Sequence, residues 1–482
     1  MQSSHGLPVV DVAFDEVNLL ADAGLVQVVA LAERVGLPGL VRERVKIKDA
    51  PNSAGANPHA KVMSLLGGMV AGADSISDTD RLRLAGMGIA FEGVRAPSTL
   101  GTFLRAFTHG HVQQLQAVHR QVLADLAGTI PGLLPGADVV AFVDVDSAHR
   151  QVYGYQKQGA KVGRLKGKKT LHPLLGIVST PIARPVVAGI RLREGRSADV
   201  RGAASFVAEV LATAQRAGAT GVIGLRADSK FYTADVVATA QRAGAYVSLT
   251  TGSNPHVNAA ITTIPESAWT PIHYPDAFVD ETTGDLISDA EVAEIPYTAF
   301  TSRPKRLQAQ GRLLVRRVKR LNPAPKPKTK TGTGGDAQAS DTGASVQATL
   351  FDVYRHHSVF TTSPFEMLQA ESDHRGHAII EQVIADAKSS ALAHLPSGAF
   401  NANSAWTVLW AIAHNLARAT GALAGGHLAK ATTATIRARL IHVPARIARS
   451  SRRLKLHLPQ NWPWQQDLQN LHTGILALHR TP

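Results

Sequence analysis

The sequence predicts a mixed α/β fold, in which a sheet flanked by helices is interrupted by a β-rich insertion and preceded by an all-helical region. Three observations lead to this prediction. The run ADVVAFVDVDS, which starts at residue 137, is apolar and rich in Val, as a buried central strand is. Three more strand-like segments follow it, and strands then alternate with helical patterns up to residue 251. A meander followed by such alternation is typical of a mixed sheet.

The first 135 residues show helical periodicity. Apolar residues recur at helical spacing over residues 19–35 and 58–70, and Ser98 or Thr99 is a candidate N-cap for a third helix. Two interpretations remain open for this region. It is either a small DNA-binding domain or a helical bundle that braces the next domain.

The rest of the chain divides into four regions by composition and pattern. The first part of the core spans 136–251 and has a helix that opens at Asp199; its second part spans 346–425 and has helices at about 371–394 and 405–423. Between them lies a β-rich insertion at 252–345, with two exposed strands (EIPYTAF and RLLVRRVKR) and a low-complexity loop at 322–345. A basic, irregular tail follows at 426–482.

Composition narrows the possible partners and cofactors. The 482 residues include 51 Lys plus Arg against 37 Asp plus Glu, which gives a formal charge of +14. Such an excess suggests a polyanionic partner. The chain has no Cys, which excludes disulfides and thiolate metal sites, so any metal must bind His or carboxylate side chains.

Neither a secretory signal nor a membrane span is predicted. Asp11, Asp15 and Glu16 interrupt the apolar residues near the start, and no basic segment precedes them. The most apolar stretch, residues 405–421, contains His414 and Arg418 and is expected to be a buried helix. We expect a cytoplasmic, nucleoid-associated protein of a bacterium.

Acidic residues lie at the ends of two predicted strands and on one predicted helix. Asp144 and Asp146 alternate at the end of the Val-rich strand and so share a face, and Asp228 ends the run GVIGLRAD. The segment HRGHAIIEQVIADAK, read as one helix, places His374, His377, Glu381 and Lys388 on one side.

Each of these acids also has an ordinary explanation. An Asp that ends a strand is often a turn or helix cap, and a helical Glu is usually solvated. Taken together, three carboxylates that converge from two strands and a helix suit two hard divalent cations. Two such ions about 4 Å apart can promote phosphodiester cleavage.

The motifs VDVDS, RADSKFY and HRGHAIIEQVIADAK together resemble a DDE transposase of bacterial insertion sequences, the group with an RNase H-like catalytic domain and a Tyr-x2-Arg-x3-Glu-x6-Lys signature. The resemblance covers roughly residues 137–425, including the β-rich insertion. It implies that Asp146, Asp228 and Glu381 are the catalytic triad and bind two Mg²⁺ (or Mn²⁺) ions. Asp144 is the alternative first ligand or a support for it.

The resemblance also implies that Lys388, at the signature Lys position, contacts DNA. His374 at the signature Tyr position and His377 at the signature Arg position are further candidate DNA contacts, and so is Arg375, which supplies a guanidinium nearby. This departure puts the phosphate contacts of the helix in doubt. A competing hypothesis assigns a zinc site to His374, His377 and Glu381, but it leaves both strand-end Asp residues unexplained.

Lys and Arg residues cluster in three basic runs, at residues 150–169, 303–320 and 430–455. We expect these runs to contact DNA; the alternative explanation is that each is a solvated, charged surface. The candidates are Lys161, Arg164, Arg316, Arg317, Arg452 and Arg453. The resemblance also implies that an aromatic of the insertion stacks on an extruded base, and Trp269 is the candidate for that role. The alternative, which is more common for such a Trp, is a place in the local core.

These inferences predict a cut-and-paste transposase that cleaves and joins double-stranded DNA at terminal inverted repeats and at a target. A homodimer is expected, since two ends must be joined. Two alternatives stay open: an RNase H-fold DNA nuclease without strand transfer, and a transposase-derived DNA-binding protein with a dead site.

Overall fold

The computed structural model describes residues 11–48, 50, 53–154, 156–162, 167–273, 290–319, 354–450 and 453–479. The chain forms two compact units. Unit 1 contains residues 1–226, 239–245 and 377–482, and unit 2 contains residues 227–238 and 246–376. The domain boundaries derived from the sequence remain predictions.

Helices and strands alternate as expected of a mixed α/β fold. The described residues form fourteen α-helices: α1 (Leu25–Arg34), α2 (Leu37–Arg44), α3 (Pro58–Val70), α4 (Ala85–Ala90), α5 (Pro97–Arg105), α6 (His109–Thr129), α7 (Ala203–Arg216), α8 (Ala234–Arg242), α9 (Pro255–Thr262), α10 (Met367–Arg375), α11 (Ile379–Lys388), α12 (Phe400–Ala424), α13 (Thr433–Ile436) and α14 (Gln465–Ala477).

The same residues form fifteen strands: β1 (Leu19–Leu20), β2 (Val140–Ser147), β3 (Arg150–Gln151), β4 (Lys161–Val162), β5 (Lys169–Leu171), β6 (Leu174–Ser179), β7 (Val186–Arg191), β8 (Val222–Ala227), β9 (Tyr246–Thr250), β10 (Thr270–Ile272), β11 (Ala290–Ala299), β12 (Ala309–Lys319), β13 (Tyr354–Thr361), β14 (Ala445–Ser450) and β15 (Arg453–His457).

The N-terminal region is helical, with two differences from the sequence patterns. The single helix expected over residues 19–35 is a short strand, β1, followed by α1. The helix expected after Ser98 or Thr99 is two helices, because α5 ends at Arg105 and α6 begins with a capping box between Thr108 and His111. Neither Ser98 nor Thr99 caps a helix, since the N-cap of α5 is Ala96 and Pro97 occupies its first turn.

Helix α12 is the central element of unit 1. It packs against α3, α6, α14 and β7, and its residues are buried on all sides. Its polar residues have partners: Asn415 accepts from the Val187 N–H at 2.8 Å and donates to the Val187 carbonyl at 2.8 Å. Among the helices of the described residues, none has the length and apolar character needed to cross a bilayer.

Four strands of unit 1 lie side by side in the order β8, β2, β6, β7, and β6 is antiparallel to both β2 and β7. Helix α7 covers β6 and β7 closely. A Cβ atom at Gly176 would lie 2.5 Å from a Val210 methyl group, so a larger residue does not fit there. The helix starts at Ala203 after Gly202, which has φ of 71°, and not at Asp199 as the sequence suggested.

Unit 2 contains the neighbouring antiparallel strands β10, β11, β12, β13 and β9. The sequence predicted strands for EIPYTAF and RLLVRRVKR but described them as exposed. RLLVRRVKR is not exposed, because Leu313, Leu314 and Val315 are buried, and Leu313 and Val315 form a core with Val257 and Ile264. EIPYTAF is exposed only in part, because Ile295 and Tyr297 pack against that core while Pro296 and Thr298 face solvent. Residues 274–289 and the predicted loop at 322–345 lie outside the described residues.

The described residues of the C-terminal region form regular helices and strands, so the predicted irregular character is wrong for them. Strand β14 pairs with β1 on one side and with β15 on the other, and α14 packs on α12 and α1. Trp462 donates to the carbonyl of Arg439 at 3.3 Å, and its ring meets that of Trp464 edge to face.

Candidate catalytic site

Strand β2 presents Asp146 at its C-terminal end, where the buried part of the strand stops. Ala141, Val143 and Val145 are fully buried, whereas Asp146 is half-buried. The Asp146 carboxylate accepts a hydrogen bond from the Ser147 N–H at 2.6 Å. Ser147 Oγ donates in turn to Asp199 at 2.7 Å, and Asp199 is buried beside His172 and Arg193. Asp146 is therefore held by a polar cluster behind the strand end.

Asp144, two residues earlier, has a different environment. It is fully buried, and both of its oxygens accept from the guanidinium of Arg226 on β8, from Nε and Nη2 at 2.7 Å each. His377 Nδ1 lies 2.8 Å from the first of these oxygens. Burial alone would raise the pKa of Asp144. The charge of Arg226 and the hydrogen bonds from His377 and Arg226 outweigh burial and hold that pKa below its ordinary value.

This geometry separates the two acids that the sequence left open as the first metal ligand. The oxygens of Asp144 are committed to Arg226 and His377, so a metal would have to displace them. We correct the assignment of Asp144 as a possible ligand on this ground. Asp146 stays the candidate.

Asp228 follows β8 directly and lies in unit 2. It caps a short 3₁₀ helix, Ser229–Phe231, and accepts from the Lys230 N–H at 3.0 Å. Lys230 Nζ also lies 3.1 Å from its carboxylate. About a third of the side chain stays exposed. Asp228 thus has the capping role that the sequence offered as the ordinary explanation, and it keeps solvent access as well.

The segment with the third carboxylate is broken and is not one helix, as the sequence pattern suggested. Helix α10 ends at Arg375, a 3₁₀ turn spans Gly376–Ala378, and α11 begins at Ile379. The periodicity that placed His374, His377 and Glu381 on one face therefore does not hold across the turn. Glu381 is exposed in the first turn of α11, where the helix dipole favours a negative charge, and Lys388 is exposed at the other end.

The two histidines of this segment have separate partners. His374 lies 3.0 Å from both Ser248 Oγ and Thr250 Oγ1 on β9, within unit 2. His377, the first residue of the final segment of unit 1, bonds to Asp144. Within the described ranges, no three His, Asp or Glu side chains are grouped so that they could hold a metal ion. The partners of His374 and His377 are protein side chains on different strands, which the zinc hypothesis does not account for.

Two of the expected DNA contacts in the insertion have internal partners. Arg317 is buried and ion-paired to Glu266 at 2.7 Å and to Glu291 at 2.6 Å. Its guanidinium stacks 4.3 Å from the ring centroids of both Trp269 and Tyr354. We correct Arg317 as a phosphate contact, because its charge is already compensated. Trp269 likewise packs against Arg317 and the unit 2 core, as a local core residue does.

The other candidate cations are more accessible. Arg375 and Arg316 both approach Glu371, at 2.9 Å and 3.7 Å, and Lys161 pairs with Glu194 at 2.7 Å. Arg453 is exposed on β15. Arg164 and Arg452 lie outside the described residues.

Sequence reasoning missed Arg226 and Asp199. Arg226 is a single charge inside the apolar part of the run GVIGLRAD. Because a buried charge requires a partner, this Arg indicates a buried carboxylate elsewhere in the chain. Asp199 gave no comparable signal, because it lies 52 residues from Ser147 in the chain.

Comparison with known proteins agrees with these motifs. The family model described as "Transposase DDE domain group 1" matches residues 2–480. A solved structure, described as the cryo-EM structure of a piggyBac transposase synaptic complex with hairpin DNA, is similar over 88% of this chain and 80% of that chain, at 10% identity and a TM-score of 0.36. No curated protein sequence matches the chain. With nearly its whole length matched, the chain belongs to the transposase DDE domain group 1 family, and it is a DNA transposase of the DDE class.

Proposed function

We propose that this transposase cleaves the phosphodiester at each end of a mobile element and joins the freed 3′ hydroxyl to target DNA, and that Asp146, Asp228 and Glu381 are its catalytic carboxylates. The observation that carries the proposal is the family match over residues 2–480. Asp146 lies at the end of the buried strand β2, and Asp228 directly follows the buried strand β8. Glu381 is exposed in the first turn of α11.

An RNase H-like core is part of the proposal. The order β8, β2, β6, β7, with an antiparallel meander through β2, β6 and β7 and helix α7 before β8, supports it. Asp146 lies near the carboxyl end of β2 and Asp228 directly follows the carboxyl end of β8. In open α/β sheets, ligands bind outside the carboxyl ends of strands, which supports both assignments.

DDE transposases generally use divalent metal ions, and we propose Mg²⁺ (or Mn²⁺), two ions per site. Carboxylate oxygens are the donors that such hard cations prefer. The partners we propose are the terminal inverted repeats of the element and a target duplex, and the active assembly we propose is a homodimer. Lys161, Arg316, Arg375 and Lys388 remain proposed DNA contacts, and His374 and His377 are proposed to act through protein contacts.

Asp228→Asn tests the proposal. The assay uses a plasmid that carries the DNA flanking the gene, with Mg²⁺, and follows both end cleavage and joining. We expect both activities to fall by at least about a hundredfold, because a neutral amide cannot replace a catalytic carboxylate. Asp235→Asn, an exposed acid on α8, is the matched control and should keep both activities.

Two outcomes would favour the alternatives. Cleavage of the plasmid without joining, even when a pre-cut 3′ end is supplied, indicates a nuclease. DNA binding with neither activity in the unaltered protein indicates a dead site. Full activity in Asp228→Asn would contradict the assignment of the carboxylates.

A further inference from the structure

The C-terminal strands β14 and β15 form an antiparallel ribbon, and the two-residue strand β1 pairs with the start of β14. Three residue pairs in its register are Arg446 with His457, Ala448 with Lys455, and Ser450 with Arg453. Residues that pair across an antiparallel ladder share one face, and the faces alternate along each strand. The register therefore places four of the five basic residues of β14 and β15 on one side, and Arg449 on the other. We call the side with Arg446, Arg453, Lys455 and His457 the basic face.

The opposite side of the ribbon is apolar over most of its length. Ala445 and Ile447 are buried, and Leu456 pairs with Ile447 on the same side. Ile447, Leu454 and Leu456 line a groove of about 730 Å³ whose other wall includes Val26 and Leu468. The apolar side thus faces the body of unit 1, and the basic face points to solvent.

The basic face carries little compensating charge. All four of its basic residues are exposed. Glu16 approaches Arg446 at 3.9 Å, and both side chains are well exposed, so the pair contributes little. Positive charge on this face is available to an external polyanion.

Other cations in or next to the same C-terminal region point inward. A high content of Lys and Arg therefore does not by itself produce the basic face. Arg437 Nε donates to the Val70 carbonyl at 3.0 Å. Arg418, on α12 just before this region, is likewise buried with two backbone carbonyl partners. Arg439 stacks over Trp464 at 5.1 Å. The fold separates these structural cations from those of the basic face.

The dimensions of the ribbon fit duplex DNA. Five or six residues per strand span roughly 17–20 Å, and two strands are about 5 Å apart. A two-stranded ribbon of this kind enters the major groove, which is about 12 Å wide. Alternate residues on one strand recur every ~6.7 Å, so Arg453 and Lys455 can reach successive backbone positions.

We propose that the basic face of the β14–β15 ribbon is a docking surface for duplex DNA, with Arg446, Arg453 and Lys455 on phosphates. The choice of DNA as the occupant rests on the proposed function and on charge complementarity. The surface lies apart in sequence from Asp146, Asp228 and Glu381, so docking and chemistry can be separated by mutation.

The first test measures binding of a 30-base-pair duplex of random sequence by fluorescence anisotropy over a range of salt concentrations. The variant is Arg446→Ala, Arg453→Ala and Lys455→Ala combined. We expect affinity about 10- to 100-fold weaker at 0.1 M salt, and a plot of log K against log[salt] that is shallower by about 2.7. The control removes three exposed arginines elsewhere, Arg105, Arg201 and Arg216, and should match the unaltered protein.

The second test uses the two faces of the ribbon itself. Arg449 is exposed like Arg453 but lies on the other face. Arg453→Ala should reduce the salt slope by about 1, and Arg449→Ala should leave it unchanged. This comparison decides the question even where the triple variant fails to fold. Equal effects of the two single variants, or equal losses in the triple variant and its control, would overturn the proposal.

Two further measurements identify the partner and separate the proposals. Polyglutamate should compete poorly with the duplex at equal charge; if it competes equally, the surface takes an acidic protein and not DNA. Asp228→Asn should bind the duplex with an unchanged salt slope while losing joining activity. Failure of the ribbon proposal therefore leaves the catalytic assignment intact, and the reverse also holds.

Discussion

Arg226 in unit 1 and Arg317 in unit 2 both stack on an aromatic ring and pair with a carboxylate, and they differ in how exposed that carboxylate is. In unit 1, Arg226 stacks 4.0 Å from the ring centroid of Phe142 and pairs with Asp144, which has no solvent exposure. In unit 2, Arg317 stacks on two rings but pairs with Glu266, whose side chain is 80% exposed. An arginine–carboxylate pair thus occurs once inside a core and once at a surface. Asp144 has no water to solvate its charge and depends on its protein partners, whereas Glu266 is solvated.

Removal of Arg226 has the largest expected effect on stability. Arg226→Ala leaves the charge of Asp144 buried with His377 as its remaining partner. Loss of one member of a buried ion pair costs about 3–5 kcal/mol, so we expect the free energy of unfolding to fall by that amount in urea titrations. Arg216→Ala, at an exposed site of the same unit, is the control and should change stability by less than about 0.5 kcal/mol. A loss as small as that in Arg226→Ala would refute the contrast between the two arginines.

Acid should destabilise unit 1 through its buried histidines. Burial lowers the pKa of His119 and of His414 to about 4. A histidine with a depressed folded-state pKa contributes its full stability above the unfolded pKa of about 6.5, and that contribution is lost as the pH falls from 6.5 towards 4. We expect about 3 kcal/mol from His119 over this range.

His119→Gln should remove that part of the pH dependence, while an amide can still donate to the Val187 carbonyl that His119 contacts at 3.0 Å. The measurement is the unfolding midpoint at several pH values between 7 and 4. Parallel pH profiles for the variant and the unaltered protein would show that His119 does not contribute.

A smaller effect is expected from His377, which shares Asp144 with Arg226. His377→Ala removes one hydrogen bond to a charged, buried group, worth about 1.5–3 kcal/mol. Because the ion pair with Arg226 remains, the loss should be smaller than in Arg226→Ala. Thermal unfolding of the two variants side by side checks this order, and a reversed order would mean that Asp144 depends mainly on the histidine.

The smallest effect belongs to the exposed partner in unit 2. Glu266→Ala should leave the melting temperature unchanged, because Arg317 keeps Glu291 and both aromatic contacts while Glu266 is already in water. Differential scanning calorimetry gives the comparison. A drop as large as that of His377→Ala would show that the surface pair behaves like a buried one.

Much of the fold could be predicted from the sequence, since periodicity reports burial directly. The helix over Pro58–Val70, the Val-rich strand β2 and the buried helix α12 all follow from apolar spacing. Two errors have one cause: the turns at Thr108 and at Gly376–Ala378 interrupt a continuous apolar pattern without Pro, and an isolated Gly such as Gly110 or Gly376 is tolerated within a helical pattern. Periodicity alone does not detect such breaks.

The site was predictable only in part. The motifs identify Asp146, Asp228 and Glu381, but they do not distinguish Asp146 from Asp144. That distinction depends on Arg226 and His377, which lie 82 and 233 residues from Asp144 in the chain. The basic tail is a similar case, because only the pairing register of β14 and β15 separates Arg453 from Arg449. Long-range pairing carries this information.

The most direct test of the account compares Asp146→Asn with Asp144→Asn, with DNA joining in Mg²⁺ and thermal unfolding measured on both. We assign the chemistry to Asp146 and a supporting role to Asp144, with three expected results. Asp146→Asn unfolds at the temperature of the unaltered protein and joins no DNA, whereas Asp144→Asn unfolds at a clearly lower temperature because Arg226 loses its counter-charge. Joining at the unaltered rate by Asp146→Asn would contradict the central claim.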